Sequence, residues 1–143
     1  MPKEKAEKPK VVLDSNVFIS ALVFGGKPRE ILDLAIRGRI EIAVSDDILE
    51  EIRGVLEGTK FQFSKRFVNA LTREIEDLAD AVEPKERIGV VREDPEDNRV
   101  LECAVASGAS VIVSGDSHLL ALQNFGKIRI MNPDGFLRQP RKN

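Results

Sequence analysis

The stretch Lys10-Val-Val-Leu-Asp-Ser-Asn-Val-Phe-Ile-Ser-Ala-Leu-Val, residues 10–23, changes its hydrophobic pattern halfway along. Residues 10–14 form a short apolar run that ends in Asp14, which is the pattern of a strand buried on both faces. Residues 16–23 follow with helical spacing. A buried strand that leads directly into a helix is typical of α/β proteins with a parallel sheet.

The same alternation of strand and helix patterns continues along the chain. Further strand patterns lie at residues 40–44, 110–113 and 127–131, and further helical patterns lie at residues 29–37, 46–57, 64–82 and 97–107. The order predicts an α/β fold with three α/β/α layers and a mostly parallel central sheet. We expect one domain over residues 10–143, preceded by a flexible N-terminal tail over residues 1–9.

The composition excludes several kinds of protein and of site. The chain has no apolar run near the roughly 20 residues of a membrane span, and its N-terminus does not resemble an export signal. We therefore expect a cytoplasmic protein without a membrane partner. One cysteine, Cys103, and one histidine, His118, rule out an intrachain disulfide and disfavour a zinc site. Carboxylates remain as the residues available for chemistry.

The charges are unevenly distributed although they nearly cancel. The 22 Lys and Arg residues and 24 Asp and Glu residues give a net charge of −2. Residues 53–73 carry five basic residues and one acid, whereas residues 74–102 carry eleven acids and four basic residues. Such blocks are often solvated helix faces, but the acidic total does not exclude RNA as a partner, because the surface field depends on where the charges lie.

Two aspartates lie where predicted strands end. Asp14 ends the first strand, and Asp116 follows the strand at residues 110–113. Ligands of open α/β sheets bind outside the carboxyl ends of the strands. Each Asp alone is equally well explained as a helix N-cap, but the two together favour a shared site.

Helical geometry adds two more acids to the candidate site. On the 46–57 helix, Glu51 lies about 100° from the centre of the apolar face, and Glu50 lies about 160° away from it. On the 97–107 helix, Asp97 projects within about 10° of the apolar centre, and Glu102 is expected to point outward. Capping of the helix N-terminus is one way to satisfy Asp97, and a shared metal ion is another.

Carboxylates that converge without cations repel one another and raise each other's pKa values. A hard divalent cation such as Mg²⁺ removes the repulsion and prefers oxygen ligands. One or two such ions activate water and stabilise the leaving oxygen of a phosphodiester. This chemistry requires neither cysteine nor histidine.

Three phenylalanines in the basic block admit two interpretations. Phe61, Phe63 and Phe67 alternate with the basic residues Lys60, Lys65 and Arg66. Aromatic rings among basic residues are typical of surfaces that stack on single-stranded RNA. Phe at helical spacing is more often part of a core, so we regard the three basic residues as a weak RNA-binding prediction.

Four acid-bearing segments occur in order along the chain. They are Val12-Leu-Asp-Ser-Asn-Val-Phe-Ile-Ser-Ala-Leu, Ser45-Asp-Asp-Ile-Leu-Glu-Glu-Ile-Arg-Gly-Val-Leu, Asp94-Pro-Glu-Asp-Asn-Arg-Val-Leu-Glu-Cys-Ala and Ser114-Gly-Asp-Ser-His-Leu-Leu. The ordered set resembles the motifs of PIN (PilT N-terminus) domains, the fold of VapC-type toxin ribonucleases. Glu96 before Asp97 and Ser114 in place of the common Thr depart from the pattern, and neither removes an expected ligand.

The resemblance implies a metal-dependent endoribonuclease of the kind found in toxin–antitoxin systems. It implies that Mg²⁺ or Mn²⁺ is held by four carboxylates, those of Asp14, Glu51, Asp97 and Asp116. Asn16 and the Ser114 hydroxyl would be accessory groups that orient the carboxylates or the water, although both residue types are also common in turns and caps. Members of the family are usually homodimers, and the toxins bind a small antitoxin protein.

Two alternatives stay open from the sequence. A PIN-fold protein can act in RNA processing or RNA binding without being a toxin. A phosphatase of the haloacid dehalogenase type also places its nucleophilic Asp at the end of the first strand. That family requires a second Asp two residues later, where this chain has Asn16.

Overall fold

The computed structural model describes residues 8–140, and the tail predicted at residues 1–9 lies mostly outside this range. The strands are β1 (Lys10–Leu13), β2 (Glu41–Ser45), β3 (Asp80–Val82), β4 (Val111–Val113), β5 (Asn124–Phe125) and β6 (Ile128–Met131). The helices are α1 (Ser15–Val23), α2 (Gly26–Ile36), α3 (Asp46–Glu57), α4 (Lys65–Leu78), α5 (Pro95–Ser107), α6 (Ser117–Leu122) and α7 (Pro133–Leu137). None of the helices within residues 8–140 is both long and apolar enough to cross a bilayer.

The strands form one sheet of six in the order β3-β2-β1-β4-β6-β5. Every neighbouring pair is parallel except β5 and β6, which pair antiparallel at one edge. The central strand β1 is buried completely at Val11, Val12 and Leu13, which explains its uninterrupted apolar run. Helix α5 packs against β1, β2 and β4. The prediction of a mostly parallel sheet flanked by helices is confirmed.

The chain reverses its direction across the sheet between β3 and β4. It adds β2 and then β3 on one side of β1, and β4 returns to the other side of β1. The backbone N–H of Asp14 donates to the carbonyl of Val113 at 3.1 Å, so the carboxyl ends of β1 and β4 lie side by side. A reversal of this kind opens a crevice at the ends of the two central strands, where α/β proteins bind ligands.

The predicted helix over residues 64–82 is wrong in its second part. Helix α4 ends at Leu78, and the chain then forms β3, which pairs with β2 with Asp80 opposite Ala43. The strand is short and largely exposed at the sheet edge, so its sequence lacks the apolar run that marks the central strands. Helix α2 also begins earlier than predicted, at Gly26.

The segment of residues 83–94 has no regular secondary structure and lies against α5. The Asn98 side chain accepts from the N–H of Val91 at 2.9 Å and donates to its carbonyl at 2.7 Å. The Glu102 carboxylate accepts from the N–H of Ile88 at 2.8 Å and forms an ion pair with Arg99 at 2.9 Å. The prediction that Glu102 points outward is therefore wrong, because this segment covers that face of the helix and leaves Glu102 only 2% exposed.

Candidate metal centre

Asp14 lies at the junction of β1 and α1. It caps α1, because one carboxylate oxygen accepts from the backbone N–H of Val17 at 2.9 Å. The other oxygen accepts from the hydroxyl of Ser114, which is completely buried. Burial raises the pKa of Asp14, although the hydrogen bonds from Ser114 and Val17 act in the opposite direction. The N-cap interpretation of Asp14 is thus correct, and it leaves the carboxylate at the crevice.

Asp116 lies in the same crevice, after β4, and caps α6. Its carboxylate accepts from the backbone N–H groups of His118 at 2.8 Å and Leu119 at 3.4 Å. Its own N–H donates to the hydroxyl of Ser114 at 2.9 Å, so Ser114 links the two strand-terminal acids. Burial alone would raise the pKa of Asp116, but the hydrogen bonds from Asp97 and from the α6 backbone lower it overall.

Asp97 reaches the crevice from the first turn of α5. The helix begins there because Asp94 is its N-cap and accepts from the N–H of Glu96 at 3.2 Å. Asp97 is only 7% exposed, and its Oδ2 atom is buried with no hydrogen-bond partner within the described chain. Burial, followed by close contact with and repulsion from Asp116, raises the pKa of Asp97 to about 8. This carboxyl group is held where its charge is disfavoured.

Glu51 approaches the same crevice from the second turn of α3. It is half-buried and accepts from the hydroxyl of Ser15, whereas Glu50 is exposed and pairs with Arg53 at 3.1 Å. Burial raises the pKa of Glu51, the Ser15 hydrogen bond lowers it, and repulsion by Glu96 and Asp14 raises it again. The predicted helix register, with Glu51 on the flank and Glu50 in water, is confirmed.

The structure brings the four predicted acids to one end of the sheet, at different distances from one another. Ligand atoms of Asp97, Asp116 and His118 lie within 4.8 Å of one another, a group that does not include Asp14 or Glu51. Asp14 joins the group through Ser114 and through its repulsion with Asp116. Glu51 joins it more remotely, through its repulsion with Asp14. We call these four acids the acid cluster.

The chemistry of the acid cluster fits a hard divalent cation. Among residues 8–140, no Lys or Arg side chain forms an ion pair with any of the four acids. The buried Oδ2 of Asp97 lacks a donor, and the nearby ligand atoms are carboxylate oxygens and one imidazole. A cation with a preference for oxygen would supply the missing positive charge.

The sequence reasoning missed two side chains at the acid cluster. Ser15 is buried and holds Glu51, and its signal was its place directly after Asp14 in the first turn of α1. His118 was considered as an argument against a zinc site. It is exposed, but its Nδ1 atom lies 3.6 Å from an oxygen of Asp116.

The predicted accessory and RNA-binding residues occupy different positions. Ser114 lies between two of the acids, as its predicted role requires. Asn16 is exposed in the first turn of α1, and its side chain makes no hydrogen bond with the other described residues. Lys60, Lys65 and Arg66 are exposed near the start of α4, outside the acid cluster.

Comparison with known proteins places this arrangement in a family. The chain is 34% identical over 137 residues to the uncharacterized protein MJ1680 of Methanocaldococcus jannaschii, a match that covers 92% of this chain and 86% of the relative. Its fold is similar to VapBC2 from Rickettsia felis bound to a DNA fragment from their promoter, with a TM-score of 0.62 and 16% identity. That match covers 86% of this chain and 98% of the other.

A second solved structure shows the same fold. DNA-bound VapBC from Salmonella typhimurium matches with a TM-score of 0.59 and 16% identity, over 87% of this chain and 98% of the other. At that identity the likeness concerns the fold alone. The family model of the PIN domain matches residues 10–118, which include all four acids of the acid cluster. With most of its length matched by that model, the chain belongs to the PIN domain family.

Proposed function

We propose that this protein is a Mg²⁺- or Mn²⁺-dependent endoribonuclease that hydrolyses RNA phosphodiester bonds at the acid cluster. The observation that carries the proposal is the burial of Asp97 beside Asp116, with an oxygen that lacks any donor in the described chain. A fold holds a carboxylate in such a place when a bound cation compensates the repulsion. Membership of the PIN domain family supports a nuclease.

The residues that would hold the cation are Asp14, Glu51, Asp97 and Asp116. When bound, a divalent cation supplies activation of a water molecule and stabilisation of charge on the phosphodiester. Hydrolysis of this kind needs an attacking water and a protonated leaving oxygen. His118, beside Asp116, is the one imidazole in the chain available for the second task.

The remaining residues of the site act by orientation. Ser114 donates to Asp14 and accepts from the N–H of Asp116, so one hydroxyl fixes the relative position of two acids. Ser15 donates a hydrogen bond to Glu51 and so orients that carboxylate. The N-terminal turns of α1 and α6 direct backbone N–H groups at Asp14 and Asp116, which favours their charged forms. We propose Asn16 as an accessory residue, because its side chain is exposed and could contact substrate or water.

The direct test incubates the purified protein with assorted RNAs in the presence of Mn²⁺, Mg²⁺ or a chelator. We expect cleavage only with metal. We expect Asp14→Asn to reduce cleavage by more than about 100-fold, because replacing a metal ligand costs more activity than replacing a residue that only hydrogen-bonds to a ligand. Glu50→Ala is the matched control and should be nearly silent, since Glu50 is exposed on the same helix as Glu51. Cleavage that survives chelation, or undiminished activity of Asp14→Asn, would refute the proposal.

We also propose that the protein is the toxin component of a toxin–antitoxin system. The resemblance of the four motifs to those of VapC-type toxins supports this role and implies a homodimer that binds a small antitoxin protein. We propose a cytoplasmic location as well. A short reading frame immediately upstream, whose product binds the purified protein and blocks cleavage, is the expected observation. If no such gene exists but the nuclease is active, the protein is a stand-alone RNA-processing enzyme.

The phosphatase alternative receives no support. The chain belongs to the PIN domain family, and the second Asp required by haloacid dehalogenase-type enzymes is replaced by Asn16. Release of phosphate from small phosphomonoesters, in parallel with the RNA assay, is the measurement that checks this exclusion.

A further inference from the structure

Four phenylalanine rings form a continuous row on the surface of the protein. The ring of Phe24 lies 6.0 Å from that of Phe61, which lies 5.3 Å from Phe63, and Phe63 lies 5.0 Å from Phe67. These residues come from the end of α1, the turn between α3 and α4, and the first turn of α4. We call the rings and their exposed basic neighbours Lys60, Lys65 and Arg66 the aromatic–basic patch.

The two ends of the row are exposed, and its middle is anchored. Phe24 is 67% exposed and Phe67 is 48% exposed, which are high values for large apolar side chains. Phe61 and Phe63 are half-buried and pack against the core, so the interpretation of these rings as purely core residues does not hold for the whole row. The turn is ordered, because the N–H groups of Gln62 and Phe63 donate to the carbonyls of Gly58 at 2.7 Å and Leu56 at 3.0 Å.

The charge around the rings is positive. The ammonium group of Lys60 lies 5.4 Å above the centre of the Phe61 ring, in cation–π geometry. Lys65 pairs with Glu57 at 2.9 Å, whereas Lys60 and Arg66 form no ion pair with other residues in the range 8–140. Exposed aromatic rings among unpaired basic side chains complement a nucleic acid, which carries negatively charged phosphates and flat bases.

The patch adjoins the C-terminal ends of two helices, α1 and α3, whose earlier parts hold Asp14 and Glu51. Helix α1 begins next to Asp14 and ends at Phe24, and its nine residues span about 13 Å. Helix α3 carries Glu51 and ends at Glu57, the partner of Lys65, about 9 Å further along the axis. A nucleic acid strand of a few nucleotides can therefore reach from the patch to the acids.

We propose that the aromatic–basic patch is a docking surface for single-stranded RNA, on which bases stack against Phe24 and Phe67 while Lys60 and Arg66 contact phosphates. Stacking needs unpaired bases, so the patch selects single strands over duplexes. The inference rests on the proposed function and deepens it by naming the surface that binds the substrate.

Binding of a fluorescently labelled 12-nucleotide single-stranded RNA to the full chain, measured by anisotropy in chelator, tests the proposal apart from catalysis. Stacking on an aromatic side chain contributes enough that Phe24→Ala and Phe67→Ala should each weaken binding by about 5- to 50-fold. Lys60→Ala should weaken it less and reduce its salt dependence. A duplex of equal length should bind with little response to these changes.

Matched controls come from exposed residues elsewhere. Ile36 is 56% exposed on α2, and Arg37 is exposed beside it, so Ile36→Ala and Arg37→Ala change the same kinds of surface away from the patch. Both should leave RNA affinity unchanged. Phe24→Leu keeps an apolar side chain but removes the ring, and it should lose binding as Phe24→Ala does.

Three results would overturn the proposal. The first is unchanged RNA affinity in both Phe→Ala variants, and the second is recovery of full affinity by Phe24→Leu, which would mark a general apolar surface. The third is a change in oligomeric mass of Phe24→Ala or Phe67→Ala in sedimentation while RNA affinity is kept. That result would assign the patch to contact between copies of the chain. Absence of cleavage by the unaltered protein would refute the proposed function alone, because binding is measured independently.

Discussion

Helix α5 carries two buried carboxylates whose surroundings are opposite. Glu102, which is 2% exposed, receives a hydrogen bond from the N–H of Ile88 and lies 2.9 Å from Arg99 and 3.3 Å from Arg87. Asp97, which is 7% exposed, has an oxygen without a partner in the described chain and lies against another acid. The two residues are five positions apart on one helix.

The difference is between an acid that the fold compensates and an acid that it leaves without a counter-charge. The Glu102 carboxylate is compensated inside the protein, where it attaches residues 83–94 to the helix. The Asp97 carboxylate is left uncompensated, so the fold is weakened there unless something positive binds. Burial alone therefore does not mark a candidate metal ligand, and burial among like charges is the more informative observation.

The largest expected effect is that of Asp97→Asn. A neutral amide is a weaker ligand for a divalent cation than a carboxylate, so metal-dependent RNA cleavage should fall by more than about 100-fold. In chelator the same variant should be more stable than the unaltered protein by about 1 kcal/mol or more, because the amide removes a buried group whose charge is disfavoured. Thermal unfolding with and without Mn²⁺ checks this. A variant that is less stable in chelator would show that Asp97 is structural like Glu102.

Glu102→Gln should have a smaller effect of the opposite kind. Loss of the charge weakens the hydrogen bond from Ile88 and the ion pairs with Arg87 and Arg99 that compensate this buried carboxylate, so the free energy of unfolding should fall by about 1.5–3 kcal/mol. RNA cleavage should keep its dependence on metal, since Glu102 lies outside the acid cluster. Urea unfolding is the measurement, and the exposed Glu93→Gln is the matched control. Equal stability of the two variants would show that the contacts of Glu102 do not stabilise the fold.

The smallest effect is a dependence of stability on pH. The pKa of Asp97 is about 8 in the folded protein against a usual value of 3.8, so the folded state binds more protons than the unfolded chain between these values. In chelator the free energy of unfolding should therefore fall as pH rises from 5 to 8, by about 1 kcal/mol or more. Asp97→Asn should flatten this slope, and Glu102→Gln should preserve it. A slope that is unchanged in Asp97→Asn would assign the effect to other groups.

The sequence predicts the centre of the sheet and the position of the acids because local chemistry determines both. The buried strand β1 needs an unbroken apolar run, and its end is marked by the capping Asp14. The flank position of Glu51 follows from helix geometry within α3, because the sequence of α3 alone is enough to locate the apolar face of that helix.

Features that depend on distant segments were not accessible in the same way. Glu102 was expected to point outward because the sequence of α5 does not indicate that residues 83–94 pack over that face of the helix. The strand β3 was read as helix because three residues at a sheet edge carry no periodic signal. Exposure of Phe24 and Phe67 likewise depends on how α1 and α4 each pack against α3, which the spacing of residues along either helix does not reveal.

The hydrogen bond from Ser114 to Asp14 joins residues that are 100 positions apart in the chain. During synthesis, the first strand and its aspartate emerge long before the segment that completes the acid cluster. A nascent chain that stops short of residue 116 contains only part of the cluster. Any activity that needs all four acids can therefore begin only after the segment that carries Asp116 has folded against the first strand.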